Sequence, residues 1–244
     1  MTDRPMIEIH DLTVSVGGQR ILGPLEGRFG QGTLVLVGPA QAGKTTLLKA
    51  LCGLAPGAIS GSVMVDGQDL TRAGPEELAE IRSGIGLVFQ GDALFDSLDA
   101  ISNVALPLLK RGMARPAAIE QARQALDQVG LAGQERVLPE RLSGGMRKRL
   151  GLARAVAARP RYLLADDPLA GLDPGTTERV LELLLGLCEG RGGLIIAAAD
   201  PGPLWNRADE VLVLDRGRQV VWGPAGLVRS RQDVGFLIGE EAGA

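Results

Sequence analysis

The feature that most restricts the fold is the octapeptide Gly38-Pro39-Ala40-Gln41-Ala42-Gly43-Lys44-Thr45, which fits G-x-x-x-x-G-K-[ST]. It follows a short apolar run, Thr33-Leu34-Val35-Leu36-Val37, and leads into a helix-like stretch over residues 44–52. A strand, a glycine-rich loop and a helix in that order aim the loop's backbone N–H groups and the helix N-terminus at one point, where phosphate oxygens can sit. Lys44 would reach the outer phosphates, and the Thr45 hydroxyl would face Mg²⁺.

The rest of the chain supplies the layers such a unit needs. Residues 6–16 alternate apolar and polar, as an edge or antiparallel strand would, and residues 21–29 offer a second strand. Val63-Met64-Val65 before Asp66-Gly67 reads as a strand entering a turn, and residues 85–89 as a buried strand. From about 91 to 159 strand patterns give way to helical ones, notably over 117–129 and 146–158, so this segment reads as a helical insertion. Strands resume at 162–165, 194–198 and 211–214, with a helix over about 176–188 between the first two. Strands alternating with helices predict an α/β fold with a mostly parallel sheet covered on both faces. All 244 residues are expected to form one domain, with residues 1–90 and 160–244 as its core and 91–159 as a helical subdomain.

Charge and cysteine content exclude some functions. With 26 basic and 29 acidic residues the net charge is −3, which argues against a broad nucleic-acid surface. Cys52 and Cys188 have neither metal nor disulfide spacing and are expected to be reduced thiols. The N-terminal MTDRPMIEIHD lacks the apolar core of a signal peptide. No apolar run reaches the ~18–20 residues of a membrane span, so any membrane role is expected to pass through a partner.

Two further motifs carry chemistry. Leu163-Leu164-Ala165-Asp166-Asp167-Pro168 is an apolar strand ending in two carboxylates, of which Asp166 is placed to hold Mg²⁺. Leu142-Ser143-Gly144-Gly145-Met146 opens a basic helix beginning Arg147-Lys148-Arg149. That turn fits phosphate binding through its free N–H groups, and equally a plain N-cap by Ser143.

With these motifs in this order, nearly the whole chain resembles the nucleotide-binding subunits of ABC transporters. The resemblance implies a P-loop NTPase: a RecA-like core, an inserted helical subdomain and an N-terminal antiparallel β region. Gly38 to Thr46 stands at the Walker A loop and Gln90 at the Q-loop glutamine, which senses Mg²⁺ and faces the membrane partner. Leu142 to Met146 stands at the signature, with Met146 where glutamine is commoner. Asp166 stands at Walker B, and Ala170-Gly171-Leu172-Asp173 at the D-loop. It further implies ATP and Mg²⁺ as cofactors and a transmembrane permease as partner. The chain would sit at the cytoplasmic face of the membrane. A second ATPase subunit, identical or different, would complete each ATP site, one subunit's Walker A facing the other's signature.

Several positions depart from that pattern. Asp167 replaces the usual glutamate that orients the attacking water, and a displacement of roughly 1 Å can cost about 10²-fold. Ala199 stands where the switch histidine would be; the only histidine, His10, lies in the first strand region and is expected to be structural or superficial. Val16 takes the place of the aromatic that stacks on adenine, and Gln41 that of a loop glycine. A finer resemblance, to ATPases of MCE-associated (Mla-type) lipid transport systems, rests on residues 93–98, residues 103–108, the run LSGGMRKR and residues 234–239. Two functions follow: a transport motor, expected to move lipids, or a degenerate subunit that binds ATP but hydrolyses it poorly. A soluble ABC protein acting on DNA or ribosomes would need a long coiled coil or a tandem ATPase domain, and the chain has neither.

Overall fold

A computed structural model describes residues 6–91, 93–188, 192–198, 201–231 and 234. The chain opens with an antiparallel pair, β1 (Ile7–Val16) and β2 (Gln19–Phe29). β3 (Gly32–Val37) then leads through the glycine-rich loop into α1 (Lys44–Ala50). β4 (Ala58–Val65), β5 (Gln68–Asp69), α2 (Pro75–Ser83) and β6 (Ile85–Val88) follow. Three helices, α3 (Ala100–Lys110), α4 (Arg115–Gln128) and α5 (Gly144–Val156), fill the segment before β7 (Tyr162–Asp166). The chain continues through α6 (Pro174–Cys188), β8 (Gly193–Ala197), β9 (Glu210–Asp215), β10 (Arg218–Pro224) and α7 (Ala225–Arg229).

The strands form two sheets. One is antiparallel in the order β2-β1-β4-β5; the other runs β10-β9-β3-β8-β7-β6. In the second, β3, β6, β7, β8 and β9 are parallel and only β10 runs against its neighbour. This is the expected P-loop core with an N-terminal antiparallel region and an inserted helical group. β1 is not an edge strand, because β2 and β4 pair with it on either side.

The continuous apolar runs of the parallel strands reflect burial on both faces. Leu34 and Leu36 share a core with Leu47 and Leu48 of α1 and with Ile7, Ile9 and Leu25 of the antiparallel sheet. Val35 and Val37, one residue out of phase, pack with Leu181 and Leu184 of α6 and with the α3–α5 group. The glycine-rich loop thus hangs from a strand immobilised from above and below.

Three hairpins close through two-residue turns with positive φ at both positions: Gly17-Gly18 (57° and 79°), Asp66-Gly67 (50° and 81°) and Arg216-Gly217 (47° and 74°). The first two use the residues such turns favour. Arg216 does not, since its Cβ disfavours the left-handed region. Among the described residues no helix is long and apolar enough to cross a membrane.

Candidate functional site

β3 ends at Val37, and the chain turns at Gly38 with φ 145°. A Cβ there would lie 2.0 Å from the Leu214 carbonyl oxygen, so only glycine fits. At Gly43 (φ 104°) a Cβ would come within 2.7 Å of Leu22 Cδ1. Gln41, where a glycine was expected, takes φ 64° and holds a left-handed conformation at a cost of about 1 kcal/mol.

Lys44 folds back over this loop. Its Nζ donates to the Gly38 carbonyl at 2.5 Å and the Pro39 carbonyl at 3.0 Å. Burial lowers the pKa of its ammonium below the usual lysine value, while the Asp167 and Asp166 carboxylates pull the other way. The Thr45 hydroxyl donates to Asp166 Oδ1 at 3.1 Å, joining the first turn of α1 to the end of β7.

Asp166 is among the few polar residues buried in the fold. Burial pushes its carboxyl above the ordinary carboxylate range; the Thr45 hydrogen bond opposes this, the neighbouring Asp167 reinforces it, and Lys49 and Lys44 oppose it. A buried carboxylate beside a hydroxyl is an oxygen pair that suits a hard divalent cation, whose charge would offset the cost of burial. Among the described residues no three His, Cys, Asp or Glu side chains cluster around one point. Such a cation would therefore draw its remaining oxygens from bound phosphates or water, as Mg²⁺ usually does. The residues present fit both Mg²⁺ and a polyphosphate.

Pro39, Ala40, Gln41, Ala42, Gly43, Lys44, Thr45 and Thr46 all line one cleft of about 1120 Å³. Gly38 contributes its carbonyl to Lys44 rather than to the lining. Val16 does not line this cleft. It pairs with Gln19 across the hairpin, and its Cγ2 lies beside Gly57. Arg20 and Arg216 line the cleft instead, with Gln19, Ile21 and Asp215. Sequence reasoning missed both arginines, whose only signal was their place next to hairpin turns.

Gln90 and Asp167 are brought together elsewhere, around a small space of about 20 Å³ shared with Lys148 and Leu152. Asp167 takes φ 49°, and its N–H donates to the Ala197 carbonyl at 2.8 Å. Lys148 of α5 donates to the Ala170 carbonyl, tying the Ser-Gly-Gly helix to the loop after β7.

Ser143 is the N-cap of α5, its Oγ accepting from the Met146 N–H at 3.3 Å. It also lines, with Gly145, Arg149, Thr176 and Arg179, a separate cleft of about 310 Å³. Gly144 opens the helix just outside that lining. Asp173 caps α6 by accepting from the Thr176 N–H at 3.1 Å, and its hydrogen bonds hold its carboxyl below the usual range. It lines neither cleft. His10 is superficial, with Nδ1 3.2 Å from Glu26 Oε1. Ala199 lies outside the described residues.

Comparison with known proteins agrees with this geometry. Residues 26–170 match the family model described as ABC transporter. The methionine import ATP-binding protein MetN of Myxococcus xanthus is 41% identical over 189 residues, covering 77% of this chain and 57% of the relative. That of Corynebacterium jeikeium is 38% identical, over 77% of this chain and 51% of the relative. The chain thus spans about half the length of the curated relatives it matches. The ATP-binding cassette MJ0796, solved as a dimer in a post-hydrolysis state with ADP and Pi, is 26% identical with a TM-score of 0.81, over 90% of this chain and 98% of that one. CbiO1 of Clostridium perfringens, at 22% identity and a TM-score of 0.82 over 96% and 95% of the two chains, shows the same fold.

The methionine import relatives overturn the resemblance to lipid-transport ATPases. The residues that suggested it hold the helical subdomain together. Asn103 is buried and pins the 95–99 loop; Arg147 donates to the Leu142 carbonyl; Arg149 donates to the Val129 and Gly130 carbonyls. Such packing serves any cargo. Of the tail motif, residues 235–239 lie outside the described residues. Family model, fold and phosphate loop converge, and the chain belongs to the ABC transporter family as one of its P-loop ATPases, which take ATP with Mg²⁺.

Proposed function

We propose that this chain is the ATP-driven subunit of an importer for a small amino acid of the methionine type, docked on a transmembrane permease at the cytoplasmic face. The observation that carries the mechanism is that the P-loop cleft and the Ser143 cleft have no lining residue in common. We read the Ser-Gly-Gly turn as serving a nucleotide held by another chain, so that two copies close on ATP. The amino-acid cargo rests on the names of the relatives, and the dimer is supported by the dimeric cassette to which the chain is similar.

Within the site, Lys44 exchanges its two loop carbonyls for the outer phosphates. The Thr45 hydroxyl and the Asp166 carboxylate would hold Mg²⁺, which would supply neutralisation of the charge on the phosphate oxygens. Gln90 and Asp167 meet around their own small space, and Asp167 is near enough to Lys44 for its charge to act there; Asp167 would orient the attacking water and Gln90 would relay the state of the site to the membrane partner. The short Asp167 side chain makes this step slow, so the chain works chiefly as an ATP clamp. A structural role for the Ser143 cap is compatible with this, because the cap uses the side-chain Oγ and leaves the Gly144 and Gly145 N–H groups for a phosphate.

Steady-state turnover in the assembled transporter tests the reading, together with uptake of labelled methionine. Wild type is expected to turn over slowly, Asp167→Glu faster by roughly tenfold or more, and Lys44→Ala not at all, with uptake abolished. Wild-type turnover that Asp167→Glu leaves unchanged would remove Asp167 as the slow element. Uptake indifferent to Lys44→Ala would reject the motor.

A further inference from the structure

The position expected to supply an aromatic platform for the nucleobase is Val16, and it lies outside the P-loop cleft, beside Gly57. None of the residues lining the cleft is aromatic. Two guanidinium groups line it instead: Arg20, the second residue of β2, and Arg216, in the turn between β9 and β10. Neither is there by loose proximity. The Gly217 N–H donates to the carbonyl of Ala42 in the phosphate loop at 3.1 Å, and the Gly217 carbonyl accepts from the Gly23 N–H at 2.6 Å. The Arg216 turn is thereby fastened to the phosphate loop on one side and to the strand bearing Arg20 on the other.

The conformation of Arg216 is a second, independent observation. It occupies the first central position of a hairpin turn at φ 47°, where glycine, asparagine or aspartate is favoured. Its side chain is 92% exposed, and among the described residues its ion-pair partner is the Asp215 carboxylate at 4.0 Å from Nε. Packing within the chain does not offset the disfavoured backbone. The guanidinium of Arg20 has no hydrogen-bond or ion-pair partner among the described residues. A residue held against its backbone preference, with its functional group free at the rim of a binding cleft, is positioned for a ligand.

We infer that Arg20 and Arg216 form the nucleobase platform of this cleft, their planar guanidinium groups taking the face of the base in place of an aromatic ring. The inference rests on the reading of the cleft as a nucleoside triphosphate site. A guanidinium stacks on any base and carries only donors. Stacking on the ring face leaves the edge of the base unread, so the site takes nucleoside triphosphates without the adenine selectivity that a shaped aromatic pocket would impose.

The test measures binding of Mg-ATP, Mg-GTP and inorganic tripolyphosphate to the full chain by calorimetry, for wild type, Arg20→Ala, Arg216→Gly and the double variant. Arg216→Gly keeps the turn and relieves its backbone, so its thermal midpoint is expected to rise, which separates lost contacts from lost folding. Each single variant is expected to weaken ATP and GTP by about tenfold while changing tripolyphosphate by less than about twofold. Wild type is expected to hold ATP and GTP within about threefold of each other. Wild type that binds neither nucleotide would overturn the triphosphate reading itself. ATP affinity unchanged in the double variant would overturn the platform alone. An equal loss for tripolyphosphate would show that the arginines meet phosphates, and strong preference for ATP over GTP would show a base pocket built from other groups; either result overturns the inference.

Discussion

At the scale of single residues, the site is held by atoms that are costly to bury and costly to lose. Asp166 is the clearest case. Burial raises its pKa above the ordinary aspartate value of 3.8, so the folded chain binds protons more readily there than the unfolded chain does. Stability from this group is greatest below pH 3.8 and is lost as pH rises through the higher folded pKa. At neutral pH the carboxylate is thus a liability until a cation joins it. Asp166→Asn is expected to raise the nucleotide-free thermal midpoint by about 2–4 °C and to abolish the added stabilisation from Mg-ATP. A lower nucleotide-free midpoint would mean that the charge is already well compensated by Lys44 and Lys49. The G-x-x-x-x-G-K-T motif made this site legible in the sequence, because the glycines are demanded by backbone geometry that no neighbour can alter. Arg20 and Arg216 were not legible, since a guanidinium beside a hairpin looks like any solvated charge until the turn's attachment to the phosphate loop is seen.

At the scale of elements, the segment after Gln90 is organised around one buried amide. Asn103, fully buried at the N-terminal end of α3, accepts from the Phe95 N–H at 2.8 Å and donates to the Phe95, Leu98 and Asp99 carbonyls. Arg154 of α5 completes the support, donating to the Ala93 carbonyl at 2.7 Å and lying 5.9 Å from the centre of the Phe95 ring. Phe95 itself remains 48% exposed, a fixed apolar knob on the segment after Gln90. Asn103→Ala would leave several buried backbone groups unpaired and is expected to cost about 2–4 kcal/mol, read as a lower urea midpoint with unchanged slope. A loss below half a kcal/mol would mean that water replaces the amide. The helical character of this segment could be read from its Ala- and Leu-rich spacing. α2 and β10 could not. α2 buries only Ile81, so no apolar stripe marks it, and β10 is a half-exposed edge strand whose Gly223 and Pro224 resemble a loop. The same segment misled at a finer level. Asn103 and the basic run after Ser143 suggested a lipid transporter, yet they hold loops and helix ends in place, a task indifferent to cargo.

At the scale of the whole molecule, one chain displays two clefts that the proposed function treats as half-sites. The phosphate loop at the end of β3 and the Ser143 turn at the start of α5 open into different clefts, and Lys148 links the second to the loop after β7 through the Ala170 carbonyl. Each half-site was visible in the sequence as a motif. Their separation was implied only by the family resemblance, which sets one subunit's Walker A against the other's signature; in the structure the two turns line different clefts, although α5 packs beside β6 of the parallel sheet. In the proposed function a second copy completes each site. Sedimentation of purified chains with Mg-ATP tests this directly, using wild type, Lys44→Ala, Ser143→Arg and an equal mixture of the two variants. Lys44→Ala loses the phosphate contact and Ser143→Arg fills the opposing cradle, so each alone is expected to remain monomeric while wild type dimerises. The mixture is expected to recover ATP-dependent dimers, because it restores one intact pairing of phosphate loop and signature turn across the two-fold interface. Dimers of Ser143→Arg alone, as abundant as those of wild type, would contradict the account and leave the Ser-Gly-Gly turn as a helix cap.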